Sequence, residues 1–345
     1  MIVAQKVCNF ASEKSPMSKA IESYQTQKKL ATVAVLLFFV KIIAWYLTNS
    51  VAILTDTLEY TINVISSFVG LYSLRIASMP RDANHPYGHG KVEFLSAAVE
   101  GTLMVASSFL IIFQALGNLL QPHSIAKLDY GIYLVAFTAV INYGMGEYAI
   151  RTGKKNSSLA LIASGKHLKS DTYATIGIVT GLILIYFTNL VWIDSLVAII
   201  FSIVIVVSGY KILRSSVAGI MDEADEELLE KIIKSLQAAR KENWIDMHNL
   251  RIIKYGETLH FDCHLTVPWY LNVHEAHKEI DDLADLIKKS FGESVELFVH
   301  TDGCLDFSCK ICSKSDCKVR VSQFEKKINW TIENISNNKK HNAEM

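Results

Sequence analysis

The 345-residue chain lacks a charge excess of either sign: 34 Lys and Arg are matched by 34 Asp and Glu. Without a basic footprint, nothing points to nucleic acid as a partner. A Gly-x-x-x-x-Gly-Lys-Ser/Thr loop is also missing, so the chain has no ready cradle for the phosphates of ATP. The N-terminal stretch Met1–Gln27 has no basic segment leading into a short apolar core and a small-residue cleavage site. It reads as a polar cytoplasmic tail and not as a signal peptide. Cysteine is sparse, six residues in all, and four of them (Cys304, Cys309, Cys312, Cys317) crowd into one short stretch.

What the chain has in quantity is apolar sequence. Half of it is hydrophobic and its mean hydropathy is +0.25, with the apolar residues concentrated before Arg214. Six apolar stretches stand out: Leu30–Leu47, Val51–Ile76, Leu95–Leu120, Tyr130–Ile150, Thr172–Leu190 and Val191–Ile212. Each is near or above the roughly 20 residues that a membrane-spanning helix needs. The last two leave room only for a tight turn over Asn189–Asp194. Six spans put both termini on one side, and basic residues choose it. Lys28, Lys29, Arg75, Arg81, Lys91, Arg151, Lys154, Lys155, Lys211 and Arg214 fall at one set of ends, against Lys127 alone opposite. By the positive-inside rule both termini are cytoplasmic. The expectation is a multi-pass protein of the cytoplasmic or plasma membrane.

Ionisable residues inside such segments are costly, and by default they mark an ion or proton path. His167 and Asp171, at i and i+4, share a helix face at the mouth of the fifth stretch. In the second stretch, Asp56, Glu59 and Asn63 follow spacings of three and four and also share a face. Interhelical hydrogen bonding is the plain reading. Two carboxylates in one turn repel, however, and a cation between them or a shared proton resolves the conflict. Placed opposite one another, the two stripes offer carboxylate, amide and imidazole donors to a divalent metal ion. A loop between the second and third stretches adds Asp82, His85 and His89 at metal-ligand spacing, with Pro86, Gly88 and Gly90 arguing for a folded turn there.

At this point the chain resembles the cation diffusion facilitators, the cation efflux family of divalent-metal/proton antiporters. The resemblance runs from about Leu30 to Asp302. It rests on Ser50-Val51-Ala52-Ile53-Leu54-Thr55-Asp56-Thr57-Leu58-Glu59, on the Pro80–Glu93 loop with its His-Pro-Tyr-Gly-His-Gly-Lys-Val-Glu run, on His167-x-x-x-Asp171 and on Phe298-Val299-His300-Thr301-Asp302. The resemblance implies six transmembrane helices followed by a small cytoplasmic α+β, ferredoxin-like (αββαβ) domain, and a homodimer. It implies transport residues at Glu59, Asn63, His167 and Asp171, with Asp56 as a supplementary ligand. Where the family usually has His or Asp and then Asp, this chain has Glu59 and Asn63. Asn63 cannot release a proton, which bears on proton stoichiometry and metal preference. The resemblance also implies a cytoplasmic metal cluster at His264, His277, His300 and Asp302.

Beyond the membrane half, Glu223–Arg240 reads as an amphipathic helix, His248–Tyr255 and Thr258–Val267 as strands turned at Gly256, Val273–Phe291 as a helix and Ser294–His300 as a last strand. In the second strand Leu259, Phe261, Cys263 and Leu265 alternate with His260, Asp262 and His264, so the histidines are expected to face away from the helix layer. Cys304-x4-Cys309-x2-Cys312-x4-Cys317 can wrap one soft or borderline ion, with disulfides as the alternative. The remainder, Lys318–Met345, reads as a flexible or weakly helical polar tail. The expected division is a tail over 1–27, a six-helix membrane domain over 28–214, a cytoplasmic domain over 215–303 and a Cys-rich motif with tail over 304–345.

The function expected from all this is export of a divalent transition-metal ion, Zn²⁺ favoured and Fe²⁺, Mn²⁺ or Co²⁺ possible, in exchange for protons. The alternative is a membrane-bound metal receptor or metalloenzyme using the same ligands. No catalytic nucleophile or substrate domain favours an enzyme.

Overall fold

The computed structural model describes residues 16–48, 51–120, 131–188, 192–255, 258–292 and 295–344. The chain forms two compact units, Met1–Met221 and Asp222–Met345. The turn expected at Asn189–Asp194 falls in part outside the described residues, as do Lys127 and the turn at Gly256.

Among the described residues, the first unit has six long helices: α1 (Pro16–Thr48), α2 (Val51–Ala77), α3 (Val92–Leu120), α4 (Gly131–Asn156), α5 (Leu159–Thr188) and α6 (Trp192–Ile220). Among the described residues, Val92–Gly117 and Ser195–Ile220 are long and apolar enough to cross a membrane. The packing is inverted relative to a water-soluble bundle. Leu110, Phe113 and Val140 point outward, while Ser66, Ser73, Ser108, Asn63 and Asn142 are buried between helices. Small and polar residues at helix contacts, with an apolar exterior, are what association in lipid produces.

Two sequence expectations change here. Helix α1 starts at Pro16, where proline's fixed φ suits a first helical position. The second half of the supposed tail is therefore helix. Ser23, Thr26 and Gln27 are buried because partners across the bundle satisfy them. Asn156 Nδ2 donates to Ser23 Oγ at 3.0 Å and Gln27 Nε2 to Ser164 Oγ at 3.2 Å. At the other end α6 continues to Ile220, past the basic residues Lys211 and Arg214.

The second unit runs α7 (Glu226–Ala238), β1 (Asp246–Tyr255), β2 (Thr258–Val267), α8 (Val273–Phe291) and β3 (Val295–Gly303). Asp225 caps α7 by accepting from the Leu228 amide, and Asn272 with Glu275 forms a capping box on α8. The sheet order is β1-β2-β3, with β1 and β2 antiparallel and β2 and β3 parallel. Leu229, Ile232 and Leu236 of α7 and Leu283 and Ile287 of α8 bury the Phe261, Cys263 and Leu265 face of β2.

The expected flexible tail is instead part of this unit. Trp330 and Ile335 join its core, and Ile328 packs with Ile245 and Ile311. The Asn249 amide donates to the Asn337 carbonyl at 2.8 Å. Polar composition concealed a few well-spaced apolar anchors, and anchors are enough to order a segment.

Candidate metal centres

On α2, Asn63 is buried and faces α5. Its amide uses both ends: Nδ2 donates to Asp171 Oδ2 at 2.5 Å, and Oδ1 lies 2.8 Å from His167 Nε2. His167 is 6% exposed, with Nε2 3.9 Å from Asp171 Oδ1. The i, i+4 pair on α5 and the second stripe therefore meet at Asn63, which holds imidazole and carboxylate together in one patch. Amide oxygen, ring nitrogen and carboxylate form a mixed oxygen/nitrogen donor set suited to a divalent transition metal. The side chains of Asp56 and Glu59 lie outside the described residues, although both positions fall within α2.

Two features position this patch. Helix α5 presses on α4 where Gly146 and Gly165 face each other. A Cβ on Gly165 would meet the Gly146 carbonyl oxygen at 2.7 Å, so that approach requires glycine two residues before His167. One turn from His167, Ser164 donates to Glu100 Oε1 at 2.6 Å and accepts from Gln27. Glu100 is fully buried, as Glu93 nearly is, with Ser158 Oγ donating to it at 2.5 Å. Sequence reasoning missed both glutamates as buried polar groups. Charged residues inside an apolar stretch were the available signal.

The loop between α2 and α3 folds as its composition suggested, with Gly88 at a φ of +91° that favours glycine. Asp82 Oδ1 accepts from the His85 amide at 2.7 Å and the Asn84 amide at 2.9 Å. These amides hold its carboxyl below the usual range. Asp82 Oδ2 lies 3.4 Å from His89 Nε2, and one ligand atom each from Asp82, His85 and His89 falls within 4.8 Å of the others.

In the second unit the sheet register aligns three histidines across three strands, His248 on β1, His264 on β2 and His300 on β3. His248 Nε2 is 3.5 Å and His264 Nδ1 is 3.4 Å from Asp302 Oδ2, and these three residues form a second close ligand group. The His300 ring sits 4.7 Å from that of His264, with Nε2 3.7 Å from Asp302 Oδ1. His277 stands apart on the exposed side of α8, with Nε2 3.8 Å from Asp281 Oδ1. His248 takes a place in the cluster that the sequence did not assign to it. His260, expected to face away, is buried beside Glu296 and Phe298.

Behind His248 lies Asp246, 2% exposed, with Oδ2 3.4 Å from His248 Nδ1. Burial alone would raise this carboxyl, but hydrogen bonds from His248 and His341 outweigh it and hold the group well below the usual range. Asp246 stands on the Nδ1 side of the ring, and Nε2 is the nitrogen turned toward Asp302. The C-terminal segment also reaches this cluster, where Lys340 Nζ lies 3.2 Å from Asp302 Oδ1. An ammonium there competes with a cation. Lys340→Ala is expected to tighten divalent-metal binding at the cluster about tenfold, from removing roughly 1.4 kcal/mol of repulsion at a partly exposed site. Calorimetric metal titration of both proteins checks this, and unchanged affinity would show that the contact is incidental.

The sequence itself matches known proteins along most of its length. Residues 30–221 match the cation efflux transmembrane domain, and residues 224–304 match the cytoplasmic domain of cation efflux proteins. The chain belongs to the cation efflux family. Relatives include an uncharacterized transporter of Synechocystis, 29% identical over 255 residues that cover 74% of this chain and 81% of the relative. The cation-efflux pump FieF of Shewanella oneidensis is 26% identical over 78% of this chain and 90% of its own length. The manganese efflux system protein MneP of Bacillus subtilis is 26% identical over 82% and 98%. This cation efflux protein is a membrane-embedded transporter of metal cations. Residues beyond 304, with three of the four clustered cysteines and the docked tail, lie outside both family matches.

Proposed function

We propose that this cation efflux protein exports a divalent first-row transition-metal ion from the cytoplasm in exchange for protons, by alternating access, as a homodimer with six transmembrane helices per subunit. The observation that carries the reading is the meeting of Asn63, His167 and Asp171 from two helices. Glu59, one turn before Asn63 on α2, completes a four-donor set, with Asp56 as a supplementary ligand. An incoming ion exchanges the Asn63 hydrogen bonds for coordination by Asn63 Oδ1, His167 and Asp171. Protons arriving from the far side return to the imidazole and to the carboxylates, releasing the ion. Rocking between inward- and outward-facing states couples the two flows.

Affinity order places Zn²⁺ above Mn²⁺ and Fe²⁺ at such a site, while an oxygen-rich set with one imidazole narrows the gap. In the α–β–β–α–β unit, read as ferredoxin-like, the His248, His264, His300 and Asp302 cluster serves as a cytoplasmic metal sensor that draws two subunits together. The test is metal flux into proteoliposomes with an imposed pH gradient, across Zn²⁺, Fe²⁺, Co²⁺ and Mn²⁺. Gradient-dependent flux that a protonophore abolishes is the expected result. Binding without flux for every metal would overturn the transporter reading in favour of a receptor.

A further inference from the structure

Among the described residues, the Cys304–Cys317 segment is a ligand-rich feature that transport leaves unused. All four cysteines line a single cavity beside Tyr270 and Arg320, and all four are free thiols. Around them the backbone has little regular structure beyond a short helical turn, Asp306–Lys310, before the next helix at Ile332. A long irregular stretch inside a compact unit needs something to hold it. Part of that is Arg320, whose guanidinium donates to the carbonyls of Cys309 at 2.8 Å, Cys312 at 2.9 Å and Lys314 at 2.7 Å. These bonds curl the chain around the cavity that the four cysteines line.

An x4–x2–x4 spacing around a CxxC core gives each sulfur a separate approach to one centre. Cys304 is tethered to β2 through its amide, which donates to the Val267 carbonyl at 2.9 Å, so one corner of the cage is fixed to the sheet.

We propose that Cys304, Cys309, Cys312 and Cys317 form a Cys₄ site for one resident Zn²⁺, structural and separate from the transported ion. No three of these sulfurs lie within 4.8 Å of one another in the structure. Zn–S bonds of about 2.3 Å draw them inward by side-chain rotation. Binding releases thiol protons to solvent and leaves the redox state of the sulfurs unchanged. Its structural consequence is to close the loop that leads into the docked tail, since Ile311 and Cys312 pack against Ile328.

The experiment uses the full chain purified in detergent under reducing conditions, stripped with a chelator and reconstituted with Co²⁺. Thiolate-to-Co²⁺ charge-transfer absorption reports this site, because imidazole–carboxylate sites give none. The expected result is a charge-transfer band saturating at about one ion per chain and displaced by Zn²⁺. It persists in His264→Ala/Asp302→Ala and vanishes in Cys309→Ser/Cys312→Ser. Should the cysteine variant misfold, alkylation of the wild type decides. Zn²⁺ should protect the four thiols, leaving Cys8 and Cys263 unaffected by the metal. Absence of a thiolate band in the wild type, or isolation of the four cysteines as disulfides with no metal, overturns the proposal. Neither result touches the flux assay.

Discussion

Asp171→Ala is expected to lower metal flux in proteoliposomes about 100-fold or more while leaving the protein folded. Its carboxylate accepts from Asn63 at 2.5 Å and shares a helix face with His167. Removing a supporting group from a metal site costs roughly 10–100-fold in affinity or activity, and removing a charged ligand is at the severe end of that range. Asp171 is partly exposed, with 30% of its side chain accessible. Truncation there opens no large apolar cavity, so the loss should be functional. Size-exclusion profile and helical content should match the wild type. Asp171→Asn separates charge from shape, because it preserves the contact to Asn63 and removes the negative charge that both metal and proton compete for. Near-normal flux in Asp171→Asn would remove the carboxylate from the mechanism.

The sequence made this patch legible because both stripes follow helical spacing within apolar runs. Each periodicity placed its residues on one helix face; that the two faces meet was carried by the family resemblance, and the structure brings Asn63, His167 and Asp171 into contact. The cytoplasmic cluster was only half legible for the same reason in reverse. His248 lies on a different strand from His264, and only the β1–β2 register brings them opposite each other. Register comes from pairing over the whole strand, and no spacing within one strand encodes it. Asp246 and Lys340 were out of reach altogether. Each acts through a contact whose partner is distant in the chain, 95 residues between Asp246 and His341. Loop chemistry was easier: Asp82, His85 and His89 belong to one short turn with its own glycine signal, and the turn folds on its own bonds.

Trp330→Ala is expected to destabilise the Asp222–Met345 unit by about 3–5 kcal/mol, the usual cost of emptying a buried tryptophan site. Set against the 5–15 kcal/mol typical of a domain, that loss is large for one residue in a segment whose composition suggests disorder. Trp330 is 3% exposed, its amide donates to Gln237 Oε1 at 3.3 Å, and the Arg240 guanidinium lies 4.0 Å over its ring. Arg240 also donates to the Ile328 carbonyl at 2.6 Å and to the Trp244 carbonyl at 3.0 Å, so one side chain ties α7, the strand entry and the tail together. Emptying the site therefore loosens three segments at once. Hydrogen exchange reads the consequence directly, since the Asn249 amide is bonded to the tail at Asn337. In Trp330→Ala that amide and the tail amides should exchange far faster, while α1–α6 are unaffected. Trp330→Phe, which keeps most of the apolar volume, should recover much of the protection. Equal exchange in wild type and Trp330→Ala would mean that the tail adds nothing to the core, and Lys340 and His341 would then have no fixed seat beside Asp302 and Asp246.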